Sequence, residues 1–247
     1  MKYVVGDVHG EISKLEQLIS YLEGDAEEFI FVGDYMDKGE NSREVLKYLQ
    51  NLMYNRNTTF LIGNHDFAWM EFARNGRHGE YLLQYGGRKT LDDFGLSRLL
   101  REEIEETLMQ PYQDFFDSLQ NYCIRGSHII SHSGVDPDSW NPCLLQGAQE
   151  ALDALPTEKF LYNRHNFLEM DISQTDYYWV FGHTAFREPY ALQRKRGVDT
   201  GAVYHATAAL TAYCLETHTT VNHLGETRSM RTDCVPPIWG TNELEKS

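Results

Sequence analysis

At 247 residues the chain can bury a large core, as one large α/β domain or two smaller ones, and its 41% hydrophobic and 24% charged content is that of an ordinary globular protein. No apolar run reaches the length of a membrane span. A net charge of −15 disfavours sequence-blind nucleic-acid binding, which needs a basic surface, and also an anionic substrate unless the site brings its own positive charge, as bound metal ions would.

Met1-Lys2 runs directly into Tyr3-Val4-Val5-Gly6 with no signal-peptide pattern, so a cytoplasmic location is expected. Residues 2–6 read as a strand, and Glu11 to Leu22 as a helix, with Ile12, Leu15, Leu18, Ile19 and Leu22 on one stripe. The apolar run Phe29-Ile30-Phe31-Val32 is a buried strand that ends at Gly33-Asp34-Tyr35-Met36-Asp37-Lys38-Gly39. Asn41 or Ser42 caps a second helix running to about Leu52. Thr59-Phe60-Leu61-Ile62 is a third strand, closed by Gly63-Asn64-His65-Asp66. Three strand–loop–acid units with helices between them predict a parallel sheet flanked by helices.

The middle of the chain reads differently. Phe67 to Arg74 is helical, Gly76, Gly79, Gly86 and Gly87 break the chain into a loop, and Ser97 to Gln110 is a charged helix. Pro111 suits the first turn of another short helix. Residues 74–120 are therefore expected to form a helical insertion within a single domain of residues 1–247. Tyr122 to Arg125 and His128 to Ser131 read as a hairpin turning at Gly126-Ser127, followed at once by His132-Ser133-Gly134. An acidic helical stretch covers about 146–155. Tyr177 to Phe181 is a strand ending at Gly182-His183-Thr184, and short β-like runs follow at 190–193, 197–200, 208–216 and 219–222. The tail after Pro236 is expected to fray. The four cysteines, at 123, 143, 214 and 234, form no Cys-x-x-Cys pair, which argues against a zinc ribbon and for reduced thiols.

Five strand ends thus carry polar residues: Asp7 and His9, Asp34 and Asp37, Asn64 and His65, His132, and His183. In open α/β sheets chemistry sits at the carboxyl ends of the strands. Side chains two apart on an extended segment face the same way, so Asp7 and His9 can address one ligand. Carboxylate, imidazole and amide oxygen make a mixed nitrogen and oxygen donor set, suited to manganese, iron or zinc rather than to a thiolate cage. Six donors are too many for one tetrahedral ion and fit two ions sharing a carboxylate. Histidines 78, 128, 165, 205, 218 and 223 read as ordinary polar residues.

Gly6-Asp7-Val8-His9-Gly10, Gly33 to Gly39 and Gly63-Asn64-His65-Asp66, in this order, resemble the three signature blocks of the phosphoprotein phosphatase family within the calcineurin-like metallophosphoesterases. His132-Ser133-Gly134 and Gly182-His183-Thr184 resemble its two later histidine blocks; Tyr85-Gly86-Gly87 and Asp199-Thr200-Gly201-Ala202 resemble stretches of its bacterial and phage members. The likeness runs from residue 6 to about 215. It implies an α/β fold, a four-layer α/β/β/α sandwich with the helical insertion, and a dinuclear centre holding two divalent ions, manganese first, with iron or zinc as alternatives. Asp7, His9 and Asp34 are then the ligands of one ion. Asp34 bridges to the other, which Asn64, His132 and His183 complete. His65 is the implied general acid, oriented by Asp37. Lys38 stands where the family has arginine, Asp66 closes the third block where glutamate is common, and Arg164 falls where bacterial members hold phosphate. The implied reaction is hydrolysis of phosphomonoesters by water activated between the ions, with phosphoserine or phosphothreonine in a protein, or a small phosphoester, as the partner molecule and neither nucleic acid nor membrane. Two other readings stand beside it: a symmetrical diadenosine tetraphosphatase type of dinucleotide polyphosphate hydrolase, and an inactive metal-binding scaffold. The oligomeric state is left open.

Overall fold

The computed structural model describes residues 1–136, 139 and 147–230. Strand β1 (Lys2–Val5), helix α1 (Ile12–Leu22), β2 (Glu28–Phe31), α2 (Ser42–Asn55), β3 (Thr58–Phe60) and α3 (Asn64–Asn75) alternate along the first third of the chain. The stripe expected on α1 is buried at Leu15, Leu18, Ile19 and Leu22 and partly buried at Ile12, and α2 buries Val45, Leu46, Leu49 and Leu52. Helices α4 (Gly79–Gln84), α5 (Gly87–Asp93), α6 (Arg101–Ile104) and α7 (Gln113–Asp117) follow, then strands β4 (Tyr122–Arg125) and β5 (His128–Ser131), α8 (Ala148–Asp153), α9 (His165–Glu169), and strands β6 (Tyr178–Phe181), β7 (Tyr190–Leu192), β8 (Lys195–Gly197), β9 (Thr211–Cys214), β10 (Thr219–Asn222) and β11 (Thr227–Ser229).

These strands form two sheets, ordered β11-β10-β9-β1-β2-β3 and β4-β5-β6-β8-β7. The expected parallel sheet holds for β1, β2 and β3, but β9 pairs antiparallel with β1 and extends that sheet with β10 and β11. The runs at 190–193, 208–216 and 219–222 hold strands, the run at 197–200 meets β8 only at Gly197, and β11 was not expected; the pairing was not legible, because a short strand carries no local sign of its neighbour. The second sheet repeats the first in outline, with β5, β6 and β8 parallel to one another and β4 and β7 antiparallel at its edges.

Side-chain alternation along each central strand builds four layers. Tyr3, Val5, Phe29 and Phe31 point into a core shared with α1, α2 and α3. Val4, Ile30, Ile130 and Val180 point the other way, into a core between the sheets. Ile129, Trp179 and Phe181 face a third core, closed by Leu152 of α8 and Phe167 of α9. The architecture is the expected α/β/β/α sandwich. Residues 74–120 are not appended to it: Leu82, Leu91, Ile104, Leu108 and Phe115 complete the first core.

Three local expectations change. Residues 76–87 are largely helical, since Gly76 and Gly86, both left-handed, end one helix and start the next. The charged helix starts at Arg101 and widens to a π turn over Glu105–Met109; Pro111 has no N–H to continue the α ladder. Helix α3 begins at Asn64 rather than Phe67, because the Asp66 carboxylate turns back to accept from Gly63 N at 2.9 Å. Cys123 and Cys214 are buried free thiols; Cys143, Cys234, residue 146 and the tail after Pro236 lie outside the described residues.

At the end of the sandwich where β2 begins, Arg125 of the second sheet clasps Glu28 of the first. Its Nε lies 3.0 and 2.9 Å from the two carboxylate oxygens and its Nη2 2.6 Å from one of them, while Thr59 donates to the same group at 2.9 Å. Burial alone would raise the Glu28 pKa, but Arg125 and Thr59 overcome it and hold it below its ordinary value of 4.5. The carboxylate therefore stabilises the fold fully above about pH 4.5, and that contribution is lost as pH falls through the lower, folded value. Arg125→Ala is expected to cost about 2–3 kcal/mol in urea unfolding at pH 7, and less at pH 4. An equal cost at both pH values would detach Glu28 from the effect.

Candidate metal centre

Each parallel strand delivers its polar residues at the same edge of the sandwich. β1 leads to Asp7 and His9, β2 to Asp34, Asp37 and Lys38, β3 to Asn64 and His65, β5 to His132, β6 to His183 and β8 to Asp199. Contacts between the two sheets close the site. His132 Nδ1 donates to Val32 O at 2.9 Å, and His183 N donates to both Asp7 oxygens at 3.1 Å. Two glycines allow the approach: a Cβ on Gly63 would overlap the Asp34 carboxylate, and one on Gly182 would overlap that of Asp7. The turns are strained in the same place. His9, Asp34, Asp37, Lys38 and His183 all have positive φ, from 44° to 71°, a conformation that non-glycine residues keep only where the surroundings impose it.

The donor atoms fall into two groups that share Asp34. One is His9, Asp34 and His65, the other Asp34, His132 and His183, and within each group the ligating atoms lie within 4.8 Å of one another. His9 Nδ1 donates to Met36 O at 2.7 Å, which leaves Nε2 facing Asp34 Oδ2 at 3.3 Å. The Val32 bond likewise leaves His132 Nε2 facing Asp34 Oδ1 at 3.5 Å. Such bonds fix a ligand tautomer from behind. Asn64 Oδ1 lies 2.7 Å from His132 Nε2 and 2.9 Å from His183 Nδ1, so it sits with the second group. Asp7 stands beside the two groups rather than in either; it is oriented by the His183 amide.

The electrostatics fit divalent cations. Burial lowers the pKa of His132 and His183, and burial with the nearby Lys38 ammonium pushes His9 down to about 4; all three are neutral and able to ligate at pH 7. Burial opposes ionisation of Asp34, yet the surrounding His132, His65 and His9 hold its pKa well below the carboxylate range. Burial, Asp199 and Asp34 push Asp7 well up, and burial pushes Asp199 up to about 6. Carboxylates crowded into a buried space demand positive charge, and two ions would supply it.

Behind the donors, His65 Nδ1 lies 2.7 Å from Asp37 Oδ2, leaving Nε2 for the cleft. Asp37 is fully buried and held on its other oxygen by Trp69 Nε1 at 2.9 Å and Thr90 Oγ1 at 2.6 Å. Asp66 does structural work nearby: it accepts from Asp34 N at 2.8 Å, Tyr35 N at 3.2 Å and Gly63 N, stapling the second loop to the third. Above the donors lies a cleft of about 640 Å³, with Lys38 and Arg164 on its wall among Tyr81, Tyr85, Tyr162 and Tyr204. Lys38 Nζ is 2.9 Å from His9 Nε2 and 3.4 Å from Tyr204 Oη. Arg164 reaches the wall because Gly134 and Asn163 pair as an antiparallel bridge beside His132. The sequence pointed to all ten predicted site residues, and the fold brings them to one edge. It gave no sign of Tyr81, Thr90 or Tyr204, which arrive from distant segments; the resemblance had marked only the neighbourhoods of Tyr85, Tyr162 and Asp199.

Residues 3–201 match the family described as calcineurin-like phosphoesterase. The chain belongs to the calcineurin-like phosphoesterase family. Membership makes it a metal-dependent phosphoesterase, and the donor groups described above are where divalent ions fit. Among relatives of this calcineurin-like chain, an asymmetrical bis(5'-nucleosyl)-tetraphosphatase of Halalkalibacterium halodurans is 26% identical over 231 residues, covering 85% of this chain and 87% of its own. Serine/threonine-protein phosphatase 1 of Salmonella typhimurium is 28% identical over 206 residues, covering 82% and 87%. The cold-active protein-tyrosine phosphatase of a psychrophilic Shewanella shares the fold, with a TM-score of 0.61 at 14% identity over 93% of this chain and 80% of that one. Among the described residues no helix is long and apolar enough to cross a membrane.

Proposed function

We propose that this chain is a dinuclear phosphomonoesterase of the cytoplasm acting on phosphoserine or phosphothreonine in proteins. The observation that carries the reading is the pair of donor groups sharing Asp34, the first of which takes in His65 with its Asp37 partner, at the floor of an open cleft. Asp7, His9 and Asp34 would hold one ion, and Asp34, Asn64, His132 and His183 the other, with manganese the first choice for this oxygen and nitrogen set. Two such ions lower the pKa of water and neutralise phosphoryl oxygens.

The chain's own residues do the rest. Asp37 holds His65 through Nδ1, so that Nε2 can pass a proton to the departing alkoxide oxygen. Lys38 and Arg164 face the cleft as charge for the phosphoryl oxygens. The described thiols are unsuited to attack phosphorus, since Cys123 and Cys214 are buried away from the cleft and burial pushes Cys123 up to about 12.

A second reading has its own observation. Four tyrosines on the cleft wall offer faces on which a nucleobase could stack, and dinucleotide tetraphosphatases stand among the relatives. Turnover of phosphopeptides, dinucleotide polyphosphates and aryl phosphates, each with and without manganese, separates the readings. Phosphopeptides are expected to give the highest kcat/KM. Faster cleavage of the dinucleotides would transfer the proposal to the second reading, and no metal-dependent turnover of any member would leave the inactive scaffold.

Lys38 departs from the family's arginine. A lysine neutralises charge but lacks the planar fork that fixes two phosphoryl oxygens. Charge-assisted contacts of about 1.5–3 kcal/mol predict a loss in kcat/KM of roughly 10- to 150-fold for Lys38→Ala, with two ions still bound. Lys38→Arg should keep most of the activity. An alanine variant with unchanged kcat/KM and unchanged phosphate inhibition would place Lys38 outside substrate contact.

A further inference from the structure

The geometry points to Tyr81, on the first helix of the 74–120 segment, as a positioning residue that sets the metal affinity of the group containing Asn64. The inference rests on the metal-site reading above and concerns a residue that does not itself ligate. Asn64 must present its amide oxygen, not its amide nitrogen, to the site. The two ends of the amide have similar shape, so something must tell them apart. At the oxygen end, His132 and His183 approach at 2.7 and 2.9 Å. At the nitrogen end, Asn64 Nδ2 donates to Tyr81 Oη. The hydroxyl could donate or accept; here it accepts from the amide NH₂, so with a cation at the oxygen end it anchors the amide with its oxygen toward the histidines.

Tyr81 is itself held. It is partly buried against the first core and its ring leans on Tyr85 with centroids 4.7 Å apart. His78 meets it edge-on at 6.3 Å. Its ring also tilts over His65 at 5.6 Å. The neighbouring helix α5 supports the other half of the site through Thr90 and Asp37. The 74–120 segment thus reaches the centre through two buried or half-buried side chains, and Tyr81 is the one that bears on a donor of the ion. Groups that orient ligands from behind typically change metal affinity or activity about 10–100-fold when removed.

Tyr81→Phe removes the hydroxyl and keeps the ring on His65. Manganese titration of the metal-stripped full chain by calorimetry is the readout, independent of turnover. The wild type is expected to bind two ions. The variant should bind one with unchanged affinity and the other about 10–100-fold more weakly, with an unchanged melting temperature for the stripped protein. In an Asn64→Asp background, where the side chain has no amide to orient, the same substitution should have little effect on affinity. At saturating manganese kcat should return toward the wild-type value. Two unchanged affinities in Tyr81→Phe, or an undiminished effect in the Asn64→Asp background, would overturn the role of Tyr81 while leaving the dinuclear reading in place. A wild-type protein that binds no manganese would overturn both. A changed KM with unaltered metal affinities would make Tyr81 a substrate contact instead.

Discussion

Asp34→Asn is expected to lower turnover by about 10³-fold or more at every manganese concentration, and to reduce the metal content of the purified protein. The reason is geometric. Asp34 is the one residue common to both donor groups, with Oδ2 facing His9 and Oδ1 facing His132. Its Oδ1 also accepts from His65 N at 3.1 Å, so the same carboxylate holds the first turn of α3 in place. Asparagine has nearly the same shape but supplies one oxygen and no negative charge. Losing the shared charge weakens both ion sites, and the several kcal/mol that metal ions contribute to transition-state charge correspond to the stated rate loss at 1.36 kcal/mol per decade. The variant should fold, because Gly33 and Gly63 still permit the loop and the Asp66 staple to Asp34 N is a backbone contact. Metal analysis and steady-state kinetics on one preparation test the idea. Near-normal turnover with two tightly held ions would sink the shared-carboxylate assignment.

Much of this centre is readable in the sequence because each donor follows an apolar run that ends in a tight turn. Val4-Val5-Gly6, Phe31-Val32-Gly33 and Ile62-Gly63 state both the strand and the place where it stops, and parallel strands then put the stops on one edge. Residues that support the donors from behind carry no such sign. Thr90 lies fully buried against Asp37 from a position 53 residues away, and nothing in Gly87-Arg88-Lys89-Thr90 distinguishes it from a surface turn of helix. Glycines misled in the same region. Gly79 and Gly87 open helices α4 and α5 where their spacing suggested a loop, because left-handed His78 and Gly86 precede them and reset the chain direction. The antiparallel strands β9 and β10 were visible as β-rich runs and β11 was not, and the place of β9 beside β1 depends on contacts more than 200 residues apart in the chain, such as Tyr3 with Cys214. Local propensity does not encode such a pairing.

The second large effect concerns the leaving group. If His65 delivers a proton to the departing oxygen, its loss must hurt most where that oxygen is a strong base. His65→Asn is expected to reduce hydrolysis of alkyl phosphates such as phosphoserine peptides by about 10²–10⁴-fold, the range for a positioned proton donor. Activated aryl phosphates, whose leaving phenolate needs little help, should lose far less. The geometry supports this division. His65 Nδ1 is committed to Asp37, whose second oxygen is fixed by Trp69 and Thr90, so the imidazole presents Nε2 to the cleft in a single orientation. His65 also lies within reach of His9 and Asp34 in the first donor group, which gives it a second means of affecting rate through the metal site. The two contributions separate by measurement. A proton donor produces a loss that grows with leaving-group pKa at constant metal content, whereas a metal-supporting residue produces equal losses on all substrates together with weaker manganese binding. Phosphoserine peptide and para-nitrophenyl phosphate, assayed side by side at saturating manganese with the bound metal counted, decide the matter. Equal losses on both substrates would remove His65 from the proton-transfer step and assign it to the ion site.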